Sequence, residues 1–250
     1  MSSGKGGGDV PAHSSLPASP MQGMIRGPVP IALLVTSALL VAGACGGDAA
    51  EDTTVTPDTS VASLRAELIA MGESDQSVRQ GLTMESAADT ILIARVAQVD
   101  SANTARLTEL VEQYGWPLRS RVGEEAAQAA FLVVQHSPSH EFQKRMLEAL
   151  GEAAELGEAD RSDVAMLMDR VLIHEGRPQL YGTQFRIEDG RLVPYPIADV
   201  EGVDAARAAM GLMPMSEYVE ALRQTYQGPV EWQPEPDSAA DTLGAATPGR

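Results

Sequence analysis

Residues 85–114, ESAADTILIARVAQVDSANTARLTELVEQY, carry apolar side chains at Leu92, Val96, Val99, Leu107, Leu110 and Tyr114. The spacings of three and four put these residues on one face of an α-helix, so the stretch predicts one long helix or two short ones. Gly115-Trp116-Pro117 closes the run, because the residue before a proline is driven out of helical geometry.

Upstream, Leu64, Leu68 and Met71 predict a helix over 61–71 that Gly72 stops. Downstream, the alanine-rich stretch 123–135 is apolar on most sides, and Ser137-Pro138 reads as an N-cap followed by proline at the first helical position. That predicts a helix over 138–154. Asp160 or Ser162 is placed to cap another running to His174, which 176–178 ends. The pattern then changes. Residues 181–187 and 191–195 flank Asp189-Gly190, a two-residue turn signal, and predict a β-hairpin whose second strand Pro194 and Pro196 terminate. Helices over 203–210 and 216–226 complete the reading. The expected fold class is mainly α: one helical domain over 60–232, of about six to eight helices, with one short β-hairpin near 181–195. Every Phe, Tyr and Trp lies at or after Tyr114, so the second half is expected to hold the bulky part of the core.

The first 44 residues read as a signal peptide, with translation starting at Met21 or Met24 so that Arg26 supplies the basic start. The apolar run 31–45, IALLVTSALLVAGAC, falls short of the ~20 residues of a membrane span and matches the about 7 to 15 of a secretory core. Its small residues before a single thiol resemble the leader of a bacterial lipoprotein, which implies that Cys45 becomes the lipid-bearing first residue of the mature chain. Several acyl chains on one residue satisfy the requirement for stable anchoring. Residues 45–59 are then an acidic tether and 233–250 a disordered tail. The expected location is the cell envelope, lipid-anchored and extracytoplasmic, facing the periplasm or the cell surface.

The formal charge is −17, with 35 acidic against 18 basic residues. Such a surface repels phosphate backbones and anionic headgroups, which excludes nucleic acid as a partner and leaves the lipid as the membrane contact. With Cys45 the single cysteine, the mature domain has no intramolecular disulfide and no thiol nucleophile. No Gly-x-Ser-x-Gly elbow occurs. No cofactor is expected; any small-molecule or protein ligand is undefined.

The informative residues are polar ones that helical spacing forces onto apolar faces, where an unpaired polar group is costly. Asp100 and Asn103 continue the stripe of 85–114; in the structural reading Asp100 caps a helix starting at Ser101 and Asn103 bonds a neighbouring backbone group. His136 extends the face of Ala129, Leu132 and Val133, beside Gln135, either as a structural histidine or as a general base. Pro138 separates it from His140, and no metal pair is expected there. Asp169-Arg170 interrupts an otherwise apolar helix, so at least one of these charges is buried, with Asp75 or Arg79 as available partners. Gln179, Tyr181, Thr183 and Gln184 bring hydrogen-bonding groups into the hairpin, with Gly182 allowing close backbone approach, either to line a site or to satisfy the buried ends of helices.

Asp75-Gln76-x-x-Arg79, Asp100-x-x-Asn103, Gly115-Trp116-Pro117, Val134-Gln135-His136, Asp169-Arg170 and Tyr181-Gly182-Thr183-Gln184, taken in order, resemble the signature of the domain-of-unknown-function family 6624 over about 64–226. The resemblance implies no chemistry. Two functions fit the residues. One is a binding module whose polar pocket draws on Asp75, Arg79, Asp100, Asn103, Gln135, His136, Asp169, Arg170, Tyr181 and Gln184. The other is an enzyme using that pocket, with His136 or Asp169 as general base and Arg170 holding an anionic group.

Overall fold

The computed structural model describes residues 59–232 apart from 81, 84, 87 and 88. The expected signal peptide, Cys45, the tether up to residue 58 and the C-terminal tail lie outside the described residues. The chain is mainly helical, with eight helices and one two-stranded antiparallel hairpin among those residues. In order these are α1 (Thr59–Arg79), α2 (Thr90–Tyr114), α3 (Arg119–Val122), α4 (Glu124–His136), α5 (His140–Glu155), α6 (Arg161–His174), β1 (Phe185–Glu188), β2 (Arg191–Pro194), α7 (Val203–Ala209) and α8 (Met215–Tyr226). None of the described helices is long and apolar enough to cross a membrane.

Local chemistry accounts for most boundaries. Asp89 starts α2 by accepting from the amides of Ile91 (2.9 Å) and Leu92 (3.1 Å). Gly115, at φ 76°, ends it. Asp189 (φ 49°) and Gly190 (φ 75°) are both left-handed, as a type I′ hairpin turn requires.

Three sequence expectations are corrected, and one short helix is added. The long stretch is a single helix that starts at Thr90, not at Glu85, and Asp100 therefore lies inside α2 and caps nothing. Ser137 is not an N-cap: Ser139 takes that position and accepts from the Phe142 amide at 3.2 Å, while the Ser137 hydroxyl accepts from the Ser139 amide and leaves Pro138 in the break. Helix α3, too short to show a periodicity, went unread. Gly72 does not stop α1, which continues to Arg79.

The reason for the last is tertiary. A Cβ at Gly72 would sit 2.7 Å from the Ala129 Cβ, so the glycine is where α1 and α4 cross at close range, and packing there overrides a helix-propensity cost of about 1 kcal/mol. Gly72→Ala is expected to destabilise the protein by about 1–3 kcal/mol despite its better propensity, and Ala129→Gly in the same chain to recover most of the loss. Urea unfolding of the two variants reads both effects; a Gly72→Ala protein as stable as wild type would contradict the crossing.

Two apolar clusters result. The first gathers Leu68, Leu107, Phe131, Val134, Phe142, Leu150 and Leu167 from α1, α2, α4, α5 and α6. The second gathers Phe185, Leu192, Met215, Tyr218, Leu222 and Tyr226 around the hairpin, α7 and α8. The aromatic residues thus divide between the two, with Phe131 and Phe142 sitting among the aliphatic side chains of the earlier helices.

Candidate functional site

The C-terminal end of α1 runs beside α2 and α4, and there it places a chain of buried ions. Arg79 sits one helical turn after Asp75, so its guanidinium reaches back to the Asp75 carboxylate (Nη1 to Oδ1, 2.9 Å) and backbone carbonyl (3.0 Å). Its Nη2 donates across to Asp100 Oδ1 on α2 at 2.6 Å. The same Asp75 oxygen lies 2.7 Å from His136 Nδ1 at the last turn of α4. All of this is enclosed: Asp75 is 1 % exposed, Arg79 4 % and His136 7 %. Asn103, one turn beyond Asp100, donates to the Met71 carbonyl and the Ser74 hydroxyl, both at 3.3 Å. It thereby bonds the neighbouring helix's backbone.

A carboxylate only accepts, so the proton on His136 lies on Nδ1 and the ring's lone pair on Nε2. Burial holds the imidazole below its ordinary pKa; the Asp75 carboxylate opposes this, and the charges of Arg79 and Arg170 reinforce it. Asp100 is shifted up by burial against the pull of Arg79.

Asp169 and Arg170, adjacent on α6, go separate ways. Asp169 is fully buried, and its carboxylate accepts from the amides of Leu180 (2.7 Å), Tyr181 (3.1 Å) and Thr183 (3.0 Å) and from the Thr183 hydroxyl (2.9 Å). Its partners are therefore backbone groups of the segment entering the hairpin, and not Asp75 or Arg79 as the sequence suggested. Burial raises its pKa and these donors resist the rise. Tyr181 gives its carbonyl to Arg207 (2.6 Å), and Gln184 donates to the Thr183 hydroxyl (3.0 Å) and the Met166 carbonyl (3.4 Å).

Arg170 is half-buried, and its buried Nε has no hydrogen-bond partner. Burial pushes its pKa down to about 10, with the charge of Arg79 adding to the effect. Gln135 is fully buried and neither side-chain atom finds a partner. The ten sequence candidates are thus not one set. Asp75, Arg79, Asp100 and His136 form one connected network with Arg170 at its electrostatic margin, Asn103 separately bonds Met71 and Ser74 of α1, and Asp169, Tyr181 and Gln184 belong to a second network around the entry to the hairpin. Among the described residues no group of three or more His, Cys, Asp or Glu side chains is placed to hold a metal ion.

The family model described as a family of unknown function, DUF6624, matches residues 62–231. The chain belongs to the DUF6624 family. The match spans both polar networks. No curated protein matches the chain, and no solved structure does.

Sequence reading of this DUF6624 chain missed several buried polar residues. Arg207 is 1 % exposed, donates to the carbonyls of Met213 and Tyr181 (both 2.6 Å) and lies 4.7 Å from the centre of the Tyr218 ring. Its signal was present, four residues after Val203 on the same apolar face. Gln179, by contrast, was among the hydrogen-bonding side chains expected at the entry to the hairpin, and it bonds the Gln184 and Tyr195 carbonyls and the Gln184 amide.

The lowered pKa of His136 has a consequence for stability. In the unfolded chain the imidazole takes up a proton near its ordinary pKa of about 6.5, which the folded chain resists, so between that value and the lower folded one the unfolded state binds more protons. Stability is therefore full above about pH 6.5 and falls as pH drops below it, by at most about 1.4 kcal/mol per pH unit for this group. His174, also lowered by burial, contributes with the same sign, and the raised Asp100 with the opposite sign at more acid pH. Urea unfolding at pH 7.5, 6.5 and 5.5 should show the loss, and His136→Gln should flatten it. An unchanged slope in that variant would count against a neutral buried imidazole.

Proposed function

We propose that this protein is a lipid-anchored, extracytoplasmic binding module whose ligand site is centred on His136 and Arg170. The observation that carries the ligand site is Arg170: a half-buried guanidinium with an unpartnered buried Nε, whose charge reaches a histidine whose orientation Asp75 fixes. Buried donors are ordinarily satisfied, and leaving one unsatisfied costs about 1–3 kcal/mol. Such a donor is available to a ligand, an ion or a water. The fully buried Gln135 amide, one residue before His136 and equally without partners, supports the same reading.

A thermal-shift screen of the full chain against small molecules tests it, since any ligand of the folded state raises the melting temperature. At least one compound should do so, with the effect lost in His136→Ala; if every responding compound acts equally on that variant, the site is elsewhere. The anchor rests on the 31–45 leader and Cys45 and is tested by metabolic labelling with a fatty acid. Equal label in wild type and Cys45→Ser would refute it.

The 2.7 Å bond between Asp75 and His136 favours a second reading, an enzyme with His136 Nε2 as general base and Arg170 holding an anionic group. Asp169 is not offered as the base, because both its oxygens already accept from the 180–183 segment. A ligand found by the screen should then be chemically converted, and His136→Gln should abolish conversion while retaining measurable binding. A ligand recovered intact after long incubation would leave binding alone.

A further inference from the structure

The surroundings of Arg170 define what such a ligand must offer. Arg170 is within electrostatic reach of Arg79 and of the Tyr195, Tyr226 and Tyr218 side chains, and it acts in turn on His136 and His174. His174 lies four residues after Arg170 on α6, hence on the same helical face. Its ring centre is 5.1 Å from that of His140 at the start of α5, and His140 Nδ1 is another buried atom without a hydrogen-bond partner.

The nearby carboxylates are already engaged. Asp75 and Asp100 hold Arg79 and His136, Asp169 holds the 180–183 backbone, and Glu175 pairs with Lys144 (2.5 Å) and Arg177 (3.2 Å). Among the described residues, Arg170, His140 and His174 therefore form a cluster of donors with no carboxylate paired to them, in a chain whose formal charge is −17. The cluster also reaches solvent: His136 is buried, Arg170 and His140 are half-buried and His174 is exposed.

We infer that Arg170, with His140 and His174, seats an oxyanion, so that the ligand presents a carboxylate or a phosphate group to this cluster. A guanidinium is always a donor and never an acceptor, and its planar fork matches the oxygens of either group. Desolvated on one side and unpaired, it gains most from a partner that brings the missing negative charge. The inference rests on the binding-module reading above and adds the chemical class of the ligand.

The full chain is titrated with inorganic phosphate and, separately, with acetate, at constant ionic strength set by sodium chloride, and melting temperature and calorimetric affinity are read. At least one of the two anions should raise the melting temperature saturably, and the one that does identifies the source of the oxyanion. Arg170→Gln should weaken that binding at least tenfold. Arg170 has no protein partner to abandon, so the variant should keep its fold; His174→Asn, at an exposed position, gives an independent second comparison with an expected loss of at least threefold. No response to either anion, or an affinity unchanged in both variants, overturns the inference. A neutral compound that binds wild type but not His136→Ala, with neither anion binding, would refute the oxyanion and leave the binding module standing. If nothing binds, both fail.

Discussion

Replacing Asp169 with alanine is expected to cost about 4 kcal/mol of unfolding free energy. The carboxylate accepts from three backbone amides and one hydroxyl in a place where it is fully buried. Without it those donors face apolar surroundings, and each orphaned donor costs about 1–3 kcal/mol before the segment relaxes or admits water. Position multiplies the effect. Asp169 belongs to α6, beside Leu167 of the first apolar cluster, whereas the segment it holds leads into the hairpin of the second. That segment in turn carries the Tyr181 carbonyl bound by Arg207 and the Thr183 carbonyl bound by Tyr218. Asp169→Ala should therefore loosen the hairpin, α7 and α8 from the helices before them, and hydrogen exchange should rise in 179–231 ahead of the rest. Asp169→Asn, which keeps one accepting oxygen, should lose roughly half as much. Urea denaturation decides the magnitude; a change below 1 kcal/mol for the alanine variant would mean that these bonds are not what closes the segment.

Asp75→Ala should cost about 3–5 kcal/mol, for a different reason. Asp75 is the shared anion between Arg79 and His136, so its loss leaves a buried guanidinium with Asp100 as its one carboxylate and the imidazole Nδ1 without the Asp75 acceptor. Removing one member of a buried ionic set is far costlier than removing the set, because the remaining charge stays desolvated without compensation. Asp75→Leu combined with Arg79→Met should accordingly lose less than the sum of the two single changes, with a coupling of at least about 1 kcal/mol. Strict additivity in that double-mutant cycle would show that the pair does not act as a unit. The Asp75→Ala chain should also lose the tautomeric preference of His136, visible in the imidazole nitrogen shifts by NMR.

The helical class and the hairpin were legible because their signals are local. The stripe from Val96 to Leu110 and the Asp189-Gly190 turn each act through neighbours three or four residues away or through their own backbone angles. The polar network was only half legible. Spacing put Asp100, Asn103 and His136 on apolar faces and so predicted that they need partners, but it could not say which. Asp75 and His136 are 61 residues apart, and Arg79 and Asp100 are 21 apart. Asp169 and Arg170 look equivalent in the chain, yet the turn of about 100° between neighbouring helical residues sends one into the hairpin entry and leaves the other without a partner.

Sequence by itself determined the mainly helical class, the hairpin turn, the acidic balance, the single cysteine and the list of polar residues that had to be satisfied. Tertiary structure decided that Gly72 is a crossing point and not a helix stop, that Asp100 is an ion-pair partner and not a cap, and that Asp75, Arg79, Asp100 and His136 are linked while Asp169, Tyr181 and Gln184 belong to the entry to the hairpin. The physical reason is range: propensity, capping and turn geometry act over a few residues, whereas the pairing of a buried charge depends on which helices the core brings together.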